Sequence, residues 1–267
     1  DLVGDGDHMQ EFDLGLEGLG QAHGRHDPLE GLVGRCHRQE DAEAGLGGRG
    51  GIAEGDDLVA RGGDVLAAVE VVHQGAGEDA DEAGGGASVS RLDHCEIFDN
   101  RAVSHSGGGV EYSSLTRCLL KNNSANYDGG GGYKSDMTNC TMIGNCAKAG
   151  GGSSEGQLAG CLIVSNSARF CGGGTSGGML RNCTIIGNFA YLGGGVHAGT
   201  LNNCIAYGNW ANSSPNHTNA AFGYSCTTPL PAGAGNIESD PQMASDSHLA
   251  AGSPCVGAGY ADYAVGT

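Results

Sequence analysis

MLRNCTIIGNFAYLGGG, Met179 to Gly195, returns in recognisable form six times along this chain. Aligned on its cysteine, the copies carry Cys95, Cys118, Cys140, Cys161, Cys183 and Cys204, at intervals of 23, 22, 21, 22 and 21 residues, with Cys226 another 22 on. Five residues after each of the six stands an asparagine: Asn100, Asn123, Asn145, Asn166, Asn188 and Asn209. Seven after stands Ala102, Ala125, Ala147, Ala168, Ala190 or Ala211, and three before stands Leu92, Leu115, Met137, Leu158, Leu180 or Leu201. A register kept over six copies at a fixed period of this size is the signature of a repeat array.

Inside a copy, the cysteine and the apolar residue two places on (Ile97, Leu120, Met142, Ile163, Ile185, Ala206) alternate with more polar neighbours, the period-two pattern of a short strand with one buried face. Helix is excluded because no amphipathic run reaches the length a stable helix needs. A coil of about 22 residues, with two or three short strands joined by turns, buries its inner face only by stacking on another coil. The predicted fold is therefore all-β, a right-handed parallel β-helix. Equivalent residues lie one above another at about 4.8 Å, so six coils make a rod roughly 29 Å tall.

The columns have physical tasks. Asparagine tolerates the left-handed backbone region and bonds to nearby main chain, so its column suits a repeated tight turn whose amides also bond up the stack. The clusters Gly107 to Gly109, Gly129 to Gly132, Gly150 to Gly152, Gly172 to Gly174 and Gly193 to Gly195 allow positive φ and close backbone approach. Phosphate-cradling loops sit once, between a strand and a helix, and these recur with no helix following. The cysteines form no C-x-x-C pair of the metal-binding kind, so one thiol per coil is expected inside the rod as a small apolar side chain. Neighbouring coils also bring them within disulfide range, and the sequence leaves the two states open. Cys146 and Cys171 lie off this ladder.

Composition agrees with a thin solenoid: 52 glycines and 5% aromatic residues among 267. The net charge of −18 argues against nucleic acid or an anionic membrane surface as partner. No apolar run reaches transmembrane length, and no export signal is present in the chain.

Residues 1–86 hold 20 acidic side chains against 5 arginines and lack Ser, Thr, Asn, Lys, Tyr and Trp altogether. Three readings fit: an acidic low-complexity tail without order, a reading frame never selected for folding, or degenerate coils. The last is supported by Leu66, Val69, Val71 and Ala76 at the repeat's apolar places, with Gln74 in the asparagine slot. Residues 87–267 form the β-helix domain. Its pattern decays after Asn209, Pro229 and Pro231 forbid a central strand, and a C-terminal cap is expected from about residue 224.

The motifs IFDN, MIGN, IVSN, IIGN and AYGN beside their glycine clusters resemble the repeats of bacterial polymorphic outer-membrane proteins and other right-handed parallel β-helix proteins of pectin-lyase-like shape. SHLAAGSPCVGAG resembles the final coil of large secreted β-helix proteins. The likeness spans roughly residues 88–260. It implies a bacterial protein that is secreted or held at the cell surface, whose partner is carbohydrate or another surface component. Relatives of this kind include both adhesins and polysaccharide lyases or hydrolases, and a shared fold does not carry chemistry between them.

For the enzyme alternative, a carbohydrate-active lyase or hydrolase with or without Ca²⁺, the residue two past each glycine cluster gives the column Glu111, Lys134, Ser154, Ser176 and His197. As acid and base this is thin, and Glu111 with Lys134 reads as a surface ion pair worth little. Asp93, Glu96 and Asp99 are the candidate Ca²⁺ ligands, with solvated surface acids as the plainer reading. His105, Asp128 and His217 are loop residues able to line a groove. The G-x-S-x-G and H-E-x-x-H signatures are absent. Tyr127, Phe170, Tyr191 and Trp210 near the variable loop, with Phe98 and Tyr207 on the outer face, are candidates to stack on sugar rings, and loop packing explains them equally. No unbroken Thr row of the ice-binding kind is present; Thr141 and Thr184 share a column, which is too few. The expectation is a monomeric, non-catalytic scaffold or adhesin with carbohydrate-binding loops, with Ca²⁺ the one cofactor left open.

Overall fold

The computed structural model describes residues 69–71, 85–88 and 90–261. Most of the acidic segment 1–86, including the reading of Gln74 as an asparagine substitute, lies outside the described residues. The rest is an all-β parallel solenoid with about 22 residues per turn and no α-helix among the described residues.

Each regular coil contributes four short strands, against the two or three expected. They stack into four parallel sheets, named here by what each turns inward or follows. The aliphatic sheet has eight strands, including Cys95–Phe98, Leu119–Lys121, Thr141–Ile143 and Leu162–Val164. The alanine sheet has six: Arg101–Ala102, Ser124–Ala125, Cys146–Ala149, Ser167–Cys171, Phe189–Leu192 and Trp210–Ser213. After the glycines comes the seven-stranded glycine-exit sheet, with Val110–Glu111, Gly132–Tyr133 and Val196–His197 among its strands. The leucine sheet, also seven-stranded, holds Arg91–Asp93 through Ala221–Gly223 and leads back to the next cysteine. Pairing is in register: Met142 lies between Leu120 and Ile163, and Leu158 between Met137 and Leu180. Val69–Val71 pairs with Cys95–Ile97, placing Val69 beside Cys95 and Val71 beside Ile97.

Four strands per coil require four corners, and each corner turns on a residue with positive φ. Before the cysteines these are His94, Arg117, Asn139, Gly160, Asn182 and Asn203, and before the asparagines Asp99, Asn122, Gly144, Ser165, Gly187 and Gly208. The left-handed position therefore belongs to the residue preceding each column asparagine and not to that asparagine, a correction to the sequence reading. Non-glycine residues pay about 1 kcal/mol or more to stand there, so every corner needs a compensating anchor.

The anchor is the side chain that follows the corner and points inward. Asn145 Oδ1 accepts from the backbone N–H of Asn123 at 2.9 Å and from its Nδ2 at 3.0 Å, while Asn145 Nδ2 donates to the Leu120 carbonyl at 2.9 Å. The same set recurs at Asn166, Asn188 and Asn209. At the far end Asn216, which sits in the third-glycine column because Val196 N–H donates to its carbonyl, turns its side chain under Asn209 and closes the ladder. At the near end Asn100 Oδ1 is buried with no donor among the described residues.

The cysteine corner works alike. The backbone N–H of Cys95 donates to Cys118 Sγ and that of Cys118 to Cys140 Sγ, each at 3.4 Å, and the thiols donate to carbonyls two residues back. All six thiols are free and buried. Ser225 ends this column, accepting from Cys204 N–H at 3.0 Å. Cys226, which continued the cysteine spacing in the sequence, stands one place further on, beside Ile205. A shorter serine column at the fourth corner joins Ser90, Ser113 and Ser135.

Between the anchors the core is a single file of Leu, Ile, Met and Cys, nearly all below 3% exposed, with Ala102, Ala125 and Ala147 as a satellite cluster under the alanine sheet. The second glycine of each cluster is required because it comes in against the main chain of this sheet. A Cβ on Gly130 would meet the Cys146 carbonyl oxygen at 2.4 Å. Residues 225–260 cover the far end. Thr227 N–H donates to the Ile237 carbonyl, Cys226 Sγ to Ser239 O, and Tyr260 stacks on Tyr224 with centroids 4.8 Å apart.

Two outcomes follow. Asn166→Ala leaves the buried Asn145 N–H without an acceptor and is expected to cost about 2–3 kcal/mol, whereas Asn100→Ala, at the end where the oxygen has no donor, costs about 1 kcal/mol or less. Urea titration of both variants checks the order. Burial pushes the Cys95 thiol up to about 11 and the Cys183 thiol well above its ordinary 9.0. The unfolded chain thus sheds protons from pH 9 that the folded chain keeps, so stability is full below pH 9 and falls as pH rises toward 11 and beyond. A denaturant midpoint that stays level across that range would contradict this.

Candidate carbohydrate-binding face

The outer face of the alanine sheet follows from strand alternation. With Ala125, Ala147, Ala168 and Ala190 turned inward, the residue that follows the alanine turns outward, while Ser124 and Ser167 before it are buried. The pairing runs Ala147 to Ala168 to Ala190 to Ala211, then resumes as Ala149 to Cys171 to Leu192 to Ser213, with a bulge between. One residue, Lys148, therefore stands opposite two, Arg169 and Phe170, which in turn stand opposite the single Tyr191. Asn126 and Tyr127 occupy the same level on the coil before, where Lys148 N–H donates to the Tyr127 carbonyl at 2.7 Å.

The result is a row up the rod: Tyr127, Lys148, Phe170 and Tyr191, with Phe189 and Trp210 paired in the adjacent column. Tyr127 is 51% exposed, Phe170 57%, Tyr191 60% and Trp210 53%. More than half of each of these side chains is in solvent. Lys148 Nζ lies 5.5 Å from the Phe170 ring centroid, and Arg169 Nη2 donates across a coil to the Asn126 carbonyl at 3.1 Å. The strands hold these groups at fixed heights, about 4.8 Å per coil.

Phe98 and Tyr207, expected on the outer face, lie on the aliphatic sheet in register with Lys121 and Ile186 and are half-buried. They are not part of the row.

The column proposed for acid and base chemistry assembles differently from expectation. The glycine-exit register is Glu111, Tyr133, Ser154, Ser176, His197, Thr218. Lys134 is not in it, because Gly132 fills the Val110 position and only Gly129 to Gly131 form the glycine turn. Lys134 instead occupies the next corner, with positive φ, and pairs with Glu155 at 3.5 Å. The Glu111–Lys134 ion pair is thereby corrected. Glu111 is buried, and His197 stands four strands away, roughly 19 Å at the inter-strand spacing. Two groups acting on one glycosidic bond need about 5–9.5 Å.

Asp128 lies at the rim of the alanine sheet, where burial raises its pKa while Lys148 opposes the rise. His217 contacts the Pro229 carbonyl at 2.8 Å and packs on Phe222.

Asp93, Glu96 and Asp99 do not converge. Arg117 holds the Asp93 carboxylate with two bonds of 2.8 and 2.9 Å, and that hydrogen bonding, with a smaller contribution from His94, keeps its pKa below the ordinary value. Glu96 faces outward from the aliphatic sheet and Asp99 is a corner residue. Among the described residues no group of three His, Cys, Asp or Glu side chains is placed to hold a metal ion, and no helix there is long and apolar enough to cross a membrane.

The structure also shows a cluster the sequence did not single out. Tyr112 and Tyr133 meet edge to face at 6.0 Å, with Lys134 Nζ 5.9 and 5.0 Å from their respective centroids. The extra glycine that displaced Lys134 also hid Tyr133 from the column it completes. No protein-family model matches the chain, and neither a curated protein nor a solved structure does.

Since these aromatic rings stand in solvent, replacing Tyr127, Phe170, Tyr191 or Trp210 singly by Ala is expected to change stability by no more than about 0.5 kcal/mol. Thermal melts of the four variants test this, and a large loss in any of them would assign that ring to packing.

Proposed function

We propose that this chain is a non-catalytic scaffold or adhesin of the secreted or surface-attached kind that binds carbohydrate through the outer face of its alanine sheet. The observation that carries the reading is the set of four aromatic side chains, each more than half exposed, on one face of a rod whose core is otherwise closed. Exposed rings gathered on one face mark an interaction surface in a way that scattered ones do not. Flat rings with an apolar face and, in tyrosine and tryptophan, a polar edge match the C–H faces and hydroxyl rims of sugars. Regular strands set the rings in place before any ligand arrives, which lowers the ordering cost of binding. The separation of Glu111 from His197 supports binding over cleavage. The apolar-x-x-Asn motifs beside glycine clusters support kinship with polymorphic outer-membrane-protein repeats and pectin-lyase-like β-helices.

The test is titration against a panel of soluble polysaccharides by calorimetry, with product analysis of the same mixtures with and without chelator. Binding is expected, with Tyr191→Ala and Trp210→Ala each weakening it roughly fivefold, the equivalent of about 1 kcal/mol of aromatic contact. Absence of binding to every polymer would sink the reading. Turnover of any of them would replace scaffold by enzyme.

A further inference from the structure

The six strands of the alanine sheet contain no Asp or Glu and three cationic residues, Arg101, Lys148 and Arg169. Each of the other three parallel sheets carries at least one carboxylate: Glu96 in the aliphatic sheet, Glu111 in the glycine-exit sheet, Asp93 and Asp136 in the leucine sheet. In a chain of net charge −18, these cationic strands, with Asp128 bridged to Ala149 at their rim, coincide with the face that carries the exposed rings.

The cations are set among the rings. Lys148 Nζ sits 5.5 Å from the Phe170 centroid, on the level between Tyr127 and Phe170. Arg169 precedes Phe170 within the bulge, and its guanidinium spans the coil of Lys148 to reach Asn126. Burial acts against the negative charge of Asp128 at the rim, and Lys148 is the cation that opposes this effect. A neutral glycan would use the rings and leave the charges idle. One that carries fixed negative charge would use both, its ring faces on Tyr127, Phe170 and Tyr191 and its charged groups beside Lys148 and Arg169.

We infer that the ligand of the alanine-sheet face is an anionic polysaccharide, bearing sulfate or carboxylate groups, recognised by stacking on the aromatic row and by charge at Lys148 and Arg169. This rests on the carbohydrate-binding reading above and sharpens it.

The experiment uses the full chain and four probes: a sulfated polysaccharide, the same polymer desulfated, a polyuronate, and its methyl ester. The charged member of at least one pair is expected to bind at least tenfold more tightly than its neutral counterpart, with the advantage shrinking between 50 and 300 mM salt because exposed charges are screened. The two pairs distinguish sulfate from carboxylate. Lys148→Gln with Arg169→Gln is expected to remove the charge preference while leaving binding of the neutral polymers within about twofold, and Tyr191→Ala weakens charged and neutral polymers alike. Equal binding of charged and neutral members would overturn this inference and leave carbohydrate binding standing. A charge preference that survives the double substitution would overturn it too, by placing the anion site elsewhere. Failure of all four probes to bind would remove the underlying reading as well. A circular-dichroism melt of each variant, expected to be unchanged for these exposed side chains, separates lost binding from lost folding.

Discussion

Each coil of the rod is tied to the one before it by an asparagine oxygen that takes two hydrogen bonds, one from main chain and one from the amide of the asparagine above. The bonds lie in the interior, where an unpaired amide costs more than its hydrogen bond earns in water, so the ladder is held as a set. A single misplaced coil would orphan donors on both sides. This is how a chain with few large side chains stacks in strict register. Hydrophobic burial supplies the drive through Leu, Ile and Met and already opposes a one-residue slip, and the amides add a directional bond at each level. The thiol column is the softer version of the same device, with sulfur accepting from the neighbouring coil's N–H at 3.4 to 3.5 Å.

The division between inside and outside explains how so repetitive a protein presents a distinctive surface. Inward positions are fixed by ladder and core, and the turns by their left-handed residues. Only outward positions vary freely from coil to coil, and on the alanine sheet they vary toward rings and cations. The glycine turn packs directly against the main chain of that sheet, which leaves the outer side chains on a closely supported backbone.

Much of this was legible in the sequence, because the inward columns obey one spacing. The cysteines, asparagines, alanines and leucines could be lined up from their intervals, and so could the parallel stacking they impose. What was hidden lies where the spacing slips by one. Phe170 falls nine residues after its cysteine and Tyr191 eight, so a column drawn by counting separates two rings that the bulge puts on one level. Gly132 lengthens its glycine run by one and pushed Lys134 into the wrong column. Ser225 replaces cysteine while Cys226 next to it keeps the count misleadingly intact. Asn216 could not be found by counting at all, since it closes the asparagine ladder from a slot that glycine fills in the other coils.

The two ends of the asparagine ladder are chemically unlike among the described residues: Asn216 finishes one, and at the other the buried Asn100 oxygen has no donor there. A gene duplication that copies a whole winding leaves every internal donor and acceptor matched and adds one more level to the exposed row. A deletion of a few bases inside a strand instead turns its outer residues inward. Lineages carrying this architecture are therefore expected to differ in height by whole windings, with ligand reach growing in discrete steps.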